Sequence, residues 1–268
     1  MKRLFSFLIL CVAALAAFAA RVDTVTVNTT NLETPMTVLV VVPENVQPSD
    51  RFPVVYALHG AYGTYKDWLG HQPRIKDMAD LYGMIIVHPD GRDSWYMDSP
   101  VNPKIKMESF FIEDLIPYID AHYPTIPDPK KRAITGLSMG GHGALNLAFK
   151  HPDVFGNAGS MSGGVDIRPF PNNWGLPNLL GSADQYPENW DAASAITHVK
   201  DIKPGQINIY FDCGVDDFFA QVNENLHRAL LDAKIPHDYV SRPGGHTWEY
   251  WNNSLLHHLL YFNEAFNQ

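Results

Sequence analysis

The sequence predicts an α/β fold, a mostly parallel central sheet with helices on both faces. Three observations carry this. Short continuous apolar runs such as Val54–Leu58 and 84–87 have the length of buried strands rather than helices. Segments of helical period separate them, and alternation of the two is what parallel βαβ units produce. Gly136-Leu137-Ser138-Met139-Gly140 then falls between a strand-like stretch, 132–135, and a helix-like one rich in small residues, Gly141-His142-Gly143-Ala144-Leu145.

The elements follow in order. Residues 22–30 and Met36–Val42 alternate polar and apolar side chains, the pattern of half-exposed strands. Val54–Leu58 is a buried central strand, Ile75–Tyr82 a helix, and 84–87 the next buried strand. The stretch 109–123 places Phe111, Leu115, Ile116 and Ile119 on one side and predicts a helix despite Pro117. A strand at 132–135 enters the glycine-rich turn, Met139–Lys150 is a helix, and 155–161 is a strand. Periodicity is lost over 163–189, where Pro169, Pro171, Pro177, Pro187 and Trp174 cluster with nearby Trp190. Such an insertion commonly forms a lid or pocket wall. The chain resumes with a strand at 207–211, a helix at 217–233, a strand at Asp238–Arg242 and a last helix at 247–266.

Composition sets outer limits. With 268 residues, 46% hydrophobic and 18% charged, the chain can build one large core. A net charge of −9 without a basic cluster disfavours nucleic acid as a partner. The first twenty residues read as a secretory signal peptide: Lys2 and Arg3, an apolar run over 4–18, and the small-x-small pattern Ala17-Phe18-Ala19, cut after Ala19 or Ala20. The run is short for a membrane span, so no stable membrane insertion is expected and the protein is expected to be secreted or periplasmic. Residues 21–268 are then a single domain. Losing Lys2 and Arg3 takes the 20 basic residues to 18 against 29 acidic, about −11. Cys213 is the remaining cysteine, a buried small hydrophobe in an apolar strand.

A lone G-x-S-x-G recurs by chance in about one unrelated chain in ten of this length. Strand, sharp turn and helix around it make it a nucleophile elbow, where the glycines admit a strained serine and a Cβ would clash. Serine needs a base, and the base an orienting acid. In the α/β-hydrolase arrangement they follow as Ser, then Asp or Glu, then His, each after a strand. The sequence offers Asp216 and Asp217 after the strand at 207–211, with Asp217 preferred. It offers His246 in Pro243-Gly244-Gly245-His246 after the last strand. The oxyanion hole needs backbone donors: Met139, which follows the serine, and Ala61 in His59-Gly60-Ala61. His59 itself reads as structural, tying down that loop. No H-E-x-x-H, C-x-x-C, G-x-G-x-x-G or P-loop pattern is present, so no metal or cofactor is expected. His257 and His258 are adjacent on a helix and face different directions.

Leu58-His59-Gly60, Gly136-Leu137-Ser138-Met139-Gly140-Gly141-His142-Gly143-Ala144, Cys213-Gly214-Val215-Asp216-Asp217-Phe218 and Gly244-Gly245-His246-Thr247-Trp248 together resemble the esterase-D-like α/β-hydrolases. That group includes carbohydrate esterase family 1 (feruloyl and acetyl xylan esterases), tributyrin-type esterases, S-formylglutathione hydrolases and mycolyltransferases. The resemblance implies Ser138 as nucleophile, His246 as base, Asp217 as acid, and Ala61 and Met139 as oxyanion donors. It also implies an aromatic segment, Ser94-Trp95-Tyr96, beside the acyl pocket, and Trp95, Tyr96 and Trp174 are expected to contact substrate. The loop after Gly60 lacks the cysteine usual in S-formylglutathione hydrolases, and a leader does not suit a cytosolic enzyme. The resemblance therefore leans toward exported esterases of acylated or feruloylated plant polysaccharide, with a small-molecule or oligosaccharide ester as substrate. A general short-chain esterase, a glutathione thioesterase, an acyltransferase and a non-catalytic carbohydrate-binding module are the alternatives.

Overall fold

The computed structural model describes residues 20–44 and 46–268; the leader expected at 1–20 lies outside them except for Ala20. All eight strands among the described residues join one sheet, ordered β1-β2-β4-β3-β5-β6-β7-β8. They are β1 (Arg21–Val27), β2 (Met36–Val42), β3 (Val54–Leu58), β4 (Ile85–Pro89), β5 (Arg132–Gly136), β6 (Asn157–Met161), β7 (Asn208–Gly214) and β8 (Asp238–Arg242). β2 pairs antiparallel with β1 and β4, and every other pairing is parallel. The predicted α/β-hydrolase architecture is the observed one.

Nine α-helices are described: α1 (Asp67–His71), α2 (Ile75–Tyr82), α3 (Met107–Ser109), α4 (Ile116–His122), α5 (Met139–Lys150), α6 (Leu176–Leu180), α7 (Pro187–Ala193), α8 (Ala220–Asp232) and α9 (Trp248–Phe266). Strand side chains alternate between two cores. Val54, Tyr56 and Leu58 of β3 face a core built with α5, α8 and the 107–122 region. Val55 and Ala57 face a second core with Trp68, Ile75, Leu255 and Phe262 from α1, α2 and α9. Helices thus cover both faces, which is why the central strands read as unbroken apolar runs.

Two local expectations are corrected. β2 is not half-exposed: six of its seven residues are buried, because α2 packs on one face and the larger core on the other. The helix expected over 109–123 is broken into α3, a π-helical segment Phe110–Leu115, and α4. Pro117 has no N–H for the carbonyl four residues back, and the wider turn takes up that mismatch. The aperiodic 163–189 stretch contains α6 and the start of α7, both too short to show a period.

Buried polar groups fix α9, the helix that follows His246. Ser254 Oγ donates to Asp212 Oδ1 at 2.7 Å, His258 Nε2 lies 3.2 Å from Asp212 Oδ2, and Thr135 Oγ1 lies 2.8 Å from His258 Nδ1. His258 is fully buried and His257 exposed, so the neighbours do face different ways. Cys213 is buried, and burial pushes its thiol well above the ordinary range.

Candidate active site

β5 delivers Ser138 to the edge of the sheet where the parallel strands end. The serine adopts φ 55° and ψ −116° between strand and helix, a conformation that costs energy and persists only where surroundings impose it. They do so here. Ser138 N–H donates to the Met161 carbonyl at 2.9 Å, and the Ser138 carbonyl accepts from His142 N–H at 3.0 Å. The glycines permit the approach: a Cβ at Gly136 would lie 2.6 Å from Gly140 backbone, and one at Gly140 would lie 2.6 Å from the Leu58 and His59 carbonyl oxygens.

Three side chains far apart in sequence meet at this point. His246 Nε2 lies 2.9 Å from Ser138 Oγ, and His246 Nδ1 lies 2.8 Å from Asp217 Oδ2. The nearby carboxylate sets the tautomer: Nδ1–H donates to Asp217, leaving Nε2 to accept from the serine hydroxyl. Asp217 is buried, and its Oδ1 accepts the Phe219 N–H at 2.8 Å. One carboxylate therefore both shapes the turn into α8 and orients the imidazole. Asp216 is exposed and takes no part. The His246 ring is packed by Phe218 at 4.2 Å and edge-on by Trp251 at 4.8 Å.

The β3 loop closes over the serine. A Cβ at Gly60 would lie 3.5 Å from Ser138 Cβ, so the backbone beside Ala61 runs next to Ser138. Gly91 N–H donates to His59 Nε2 at 2.8 Å, which leaves the ring proton on Nδ1, 2.8 Å from the Gly60 carbonyl. His59 thereby holds the Gly60–Ala61 peptide by its oxygen and fixes the direction of the Ala61 N–H. Tyr96 Oη donates to the His59 carbonyl at 3.1 Å.

A cleft of about 310 Å³ opens at Ser138 and His246. Trp174 from the 163–189 insertion forms one wall, stacked with Phe218 at 5.7 Å. Trp248, Trp251, Tyr62 and Asp67 form another part of the lining. Trp95 and Tyr96 do not reach this cleft. They are 1% and 0% exposed, both at positive φ, and lie beneath its wall. Trp95 supports Trp174 and His142 from below, at 5.8 and 5.2 Å, and Tyr96 fills the space beside Gly143. Direct substrate contact by these two is corrected to support of the wall. Tyr62, Asp67, Phe218, Trp248 and Trp251 are cleft residues that sequence reasoning did not single out; their closeness to Ala61, Asp217 and His246 in the chain was the available signal.

The family described as "Putative esterase" matches residues 29–262. The chain belongs to that esterase family. An acetyl esterase of Caldicellulosiruptor saccharolyticus is 29% identical over 222 residues, covering 77% of this chain and 82% of that protein. Mouse S-formylglutathione hydrolase is 28% identical over 246 residues, covering 80% and 85%. A solved ferulic acid esterase superposes with TM-score 0.79 at 30% identity, covering 93% of this chain and 99% of that one. The protein is an esterase-D-like hydrolase of the carbohydrate esterase family 1 type. Among the described residues, no helix is long and apolar enough to cross a membrane.

Proposed function

We propose that the protein is an exported serine esterase that cleaves acyl or feruloyl esters of plant polysaccharide fragments through Ser138, His246 and Asp217. The relay of 2.9 and 2.8 Å from Ser138 through His246 to Asp217 carries the proposal. Ser138 Oγ attacks the ester carbonyl as His246 Nε2 takes its proton, and Asp217 stabilises the imidazolium. The oxyanion is met by the Met139 and Ala61 N–H groups. Collapse expels the alcohol, which receives the proton from His246 and leaves an acyl-serine. Water, deprotonated by the same imidazole, attacks that ester and frees the acid and the serine.

The aromatic lining from Trp174, Phe218 and Trp248 suits a planar phenolic acyl group or a sugar face. Similarity to a ferulic acid esterase and an acetyl esterase supports the same substrate class. Lys2 and Arg3, the apolar 4–18 and Ala17-Phe18-Ala19 support export. The similarity to S-formylglutathione hydrolases favours a second reading, thioester cleavage, against which stand Ala61 and Tyr62 after Gly60 in place of a cysteine.

The decisive measurement is kcat/KM for methyl ferulate, a short-chain aryl acetate and S-formylglutathione on one preparation, with Ser138→Ala beside it. The proposal expects the oxygen esters to be preferred and Ser138→Ala to lose at least about 10³-fold. Full activity in Ser138→Ala, or no labelling of Ser138 by a fluorophosphonate, would remove the assignment. Intact mass and N-terminal sequence of protein from the culture medium or periplasm test export.

A further inference from the structure

The cleft has a lopsided charge. Among the described residues lining it, Asp67 is the only carboxylate, and none is lysine or arginine. Asp67 is held in place: Thr64 Oγ1 donates to its Oδ1 at 3.1 Å, and a Cβ on Gly63 would lie 2.3 Å from its Oδ2. One carboxylate oxygen thus rests against the loop that carries Ala61, two residues before Gly63. Lys66, the neighbouring cation, is exposed, lies over the Tyr65 ring at 5.4 Å and is not part of the lining. Asp93 adds to the same sign, because its Oδ1 accepts the Tyr62 N–H at 2.7 Å on the same loop.

A substrate entering this cleft exchanges water for aromatic surface and one fixed negative charge. An uncharged alcohol portion loses nothing to Asp67 and can hydrogen-bond to it. An anionic one meets repulsion in a partly desolvated space with no counter-cation. We infer that Asp67 sets this esterase against esters whose alcohol or thiol portion is anionic, while neutral portions such as sugars, and cationic ones, are accepted. Glutathione thioesters, with two carboxylates and one ammonium, fall in the disfavoured class. The selectivity rests on Ser138 being the nucleophile, as proposed above. It adds a specificity-determining residue that the catalytic relay does not contain.

The size of the effect follows from the cleft. A volume of 310 Å³ corresponds to a span of about 8 Å, and Coulomb's law across about 8 Å, between surface-protein and bulk-water dielectrics, gives a fold-change of about 2 to 30. Three acetate esters of similar size read it: ethylene glycol monoacetate, O-acetylglycolate and acetylcholine, whose alcohol portions are neutral, anionic and cationic. Because intrinsic reactivities differ, the readout is each charged-to-neutral ratio of kcat/KM, compared between wild type and Asp67→Asn. Such a ratio cancels any common effect on the oxyanion loop.

Asp67→Asn is expected to raise the anionic-to-neutral ratio by about 2- to 30-fold and to lower the cationic-to-neutral ratio. Both changes should shrink between 20 mM and 500 mM salt, as screening requires. Asp67→Glu should keep the wild-type ratios, and unfolding midpoints of both variants establish that they are folded. Ratios unchanged in Asp67→Asn, or anionic and cationic ratios moving the same way, would overturn the inference while leaving Ser138 in place. No wild-type turnover of these three esters or of methyl ferulate would overturn both.

Discussion

Gly140→Ala tests whether the glycines of the elbow act through space, as the packing implies. The added Cβ would lie 2.6 Å from the carbonyl oxygens of Leu58 and His59 and 2.8 Å from the Leu58 carbonyl carbon. All three are backbone atoms at the end of β3, so no rotamer change relieves the contact. Restoring an ordinary 3.4 Å separation requires α5 and β3 to part by about 0.8 Å. That displacement falls between Ser138, two residues before Gly140, and Ala61, two residues after His59. Overpacking of this kind costs about 1–3 kcal/mol, or roughly 2–10 °C in Tm for a chain of this length. Misplacement of reacting groups by about 1 Å costs up to about 10²-fold in rate, so kcat/KM should fall by about 10- to 100-fold. The assay is 4-nitrophenyl acetate hydrolysis beside thermal unfolding. Gly70→Ala is the control, since a Cβ there meets nothing within 4 Å. Activity within about threefold of wild type in Gly140→Ala, with Tm unchanged, would refute the idea that close approach at Gly140 sets the geometry around Ser138.

Asp217→Asn should lower kcat by about 10⁴-fold with little loss of fold, since the amide leaves His246 in the wrong tautomer; steady-state kinetics with circular dichroism checks both. Trp174→Ala should raise KM for methyl ferulate by about 5- to 30-fold and that for an acetate ester much less, because it removes the aromatic wall stacked on Phe218. Burial pushes His142 down to about 4 from 6.5, and its Nδ1–H donates to the Gly164 carbonyl while Nε2 is buried without a partner. The unfolded chain therefore takes up a proton that the folded one refuses: this contribution is complete above pH 6.5, is lost as pH falls toward 4, and amounts to about 3 kcal/mol at most. Urea midpoints across that window should show a shallower pH dependence in His142→Gln. Asp80→Asn should destabilise by about 1–3 kcal/mol in the same assay, because Asp80 Oδ1 accepts the Glu44 N–H at 2.7 Å.

The three side chains that the structure brings together at Ser138 could be singled out in the sequence because each carries a local signature. Ser138 has its glycines, Asp217 and His246 each follow a strand that ends in a glycine turn, and chain order joins them. The central strands were legible because burial on both faces leaves an unbroken apolar run. What failed depends on contacts between distant segments. Whether the second face of β2 is covered is decided by α2, about forty residues on, and nothing in Met36–Val42 records it. Trp95 and Tyr96 sit in a loop after a strand, where exposure is the usual expectation. They are drawn inward because glycines far along the chain, Gly143 and Gly164, leave room for rings. Asp67 lies six residues past the predicted oxyanion donor, and only the fold of the 60–67 loop turns it toward the cleft.

The bonds that clamp the Ser138 backbone reach forward in the chain, to Met161, and its carbonyl also takes the Gly164 N–H at 3.3 Å. Asp217 arrives only after β7, and His246 only after β8 at the far edge of the sheet. A chain that stops before β7 can own a complete elbow and still, under the proposed mechanism, be inert, since His246 has not yet been made. Catalysis is thus the last property to appear as the polypeptide is built, and the first to report that its final quarter has docked. Truncated chains that end before His246 should therefore show no esterase turnover, while the full-length chain does.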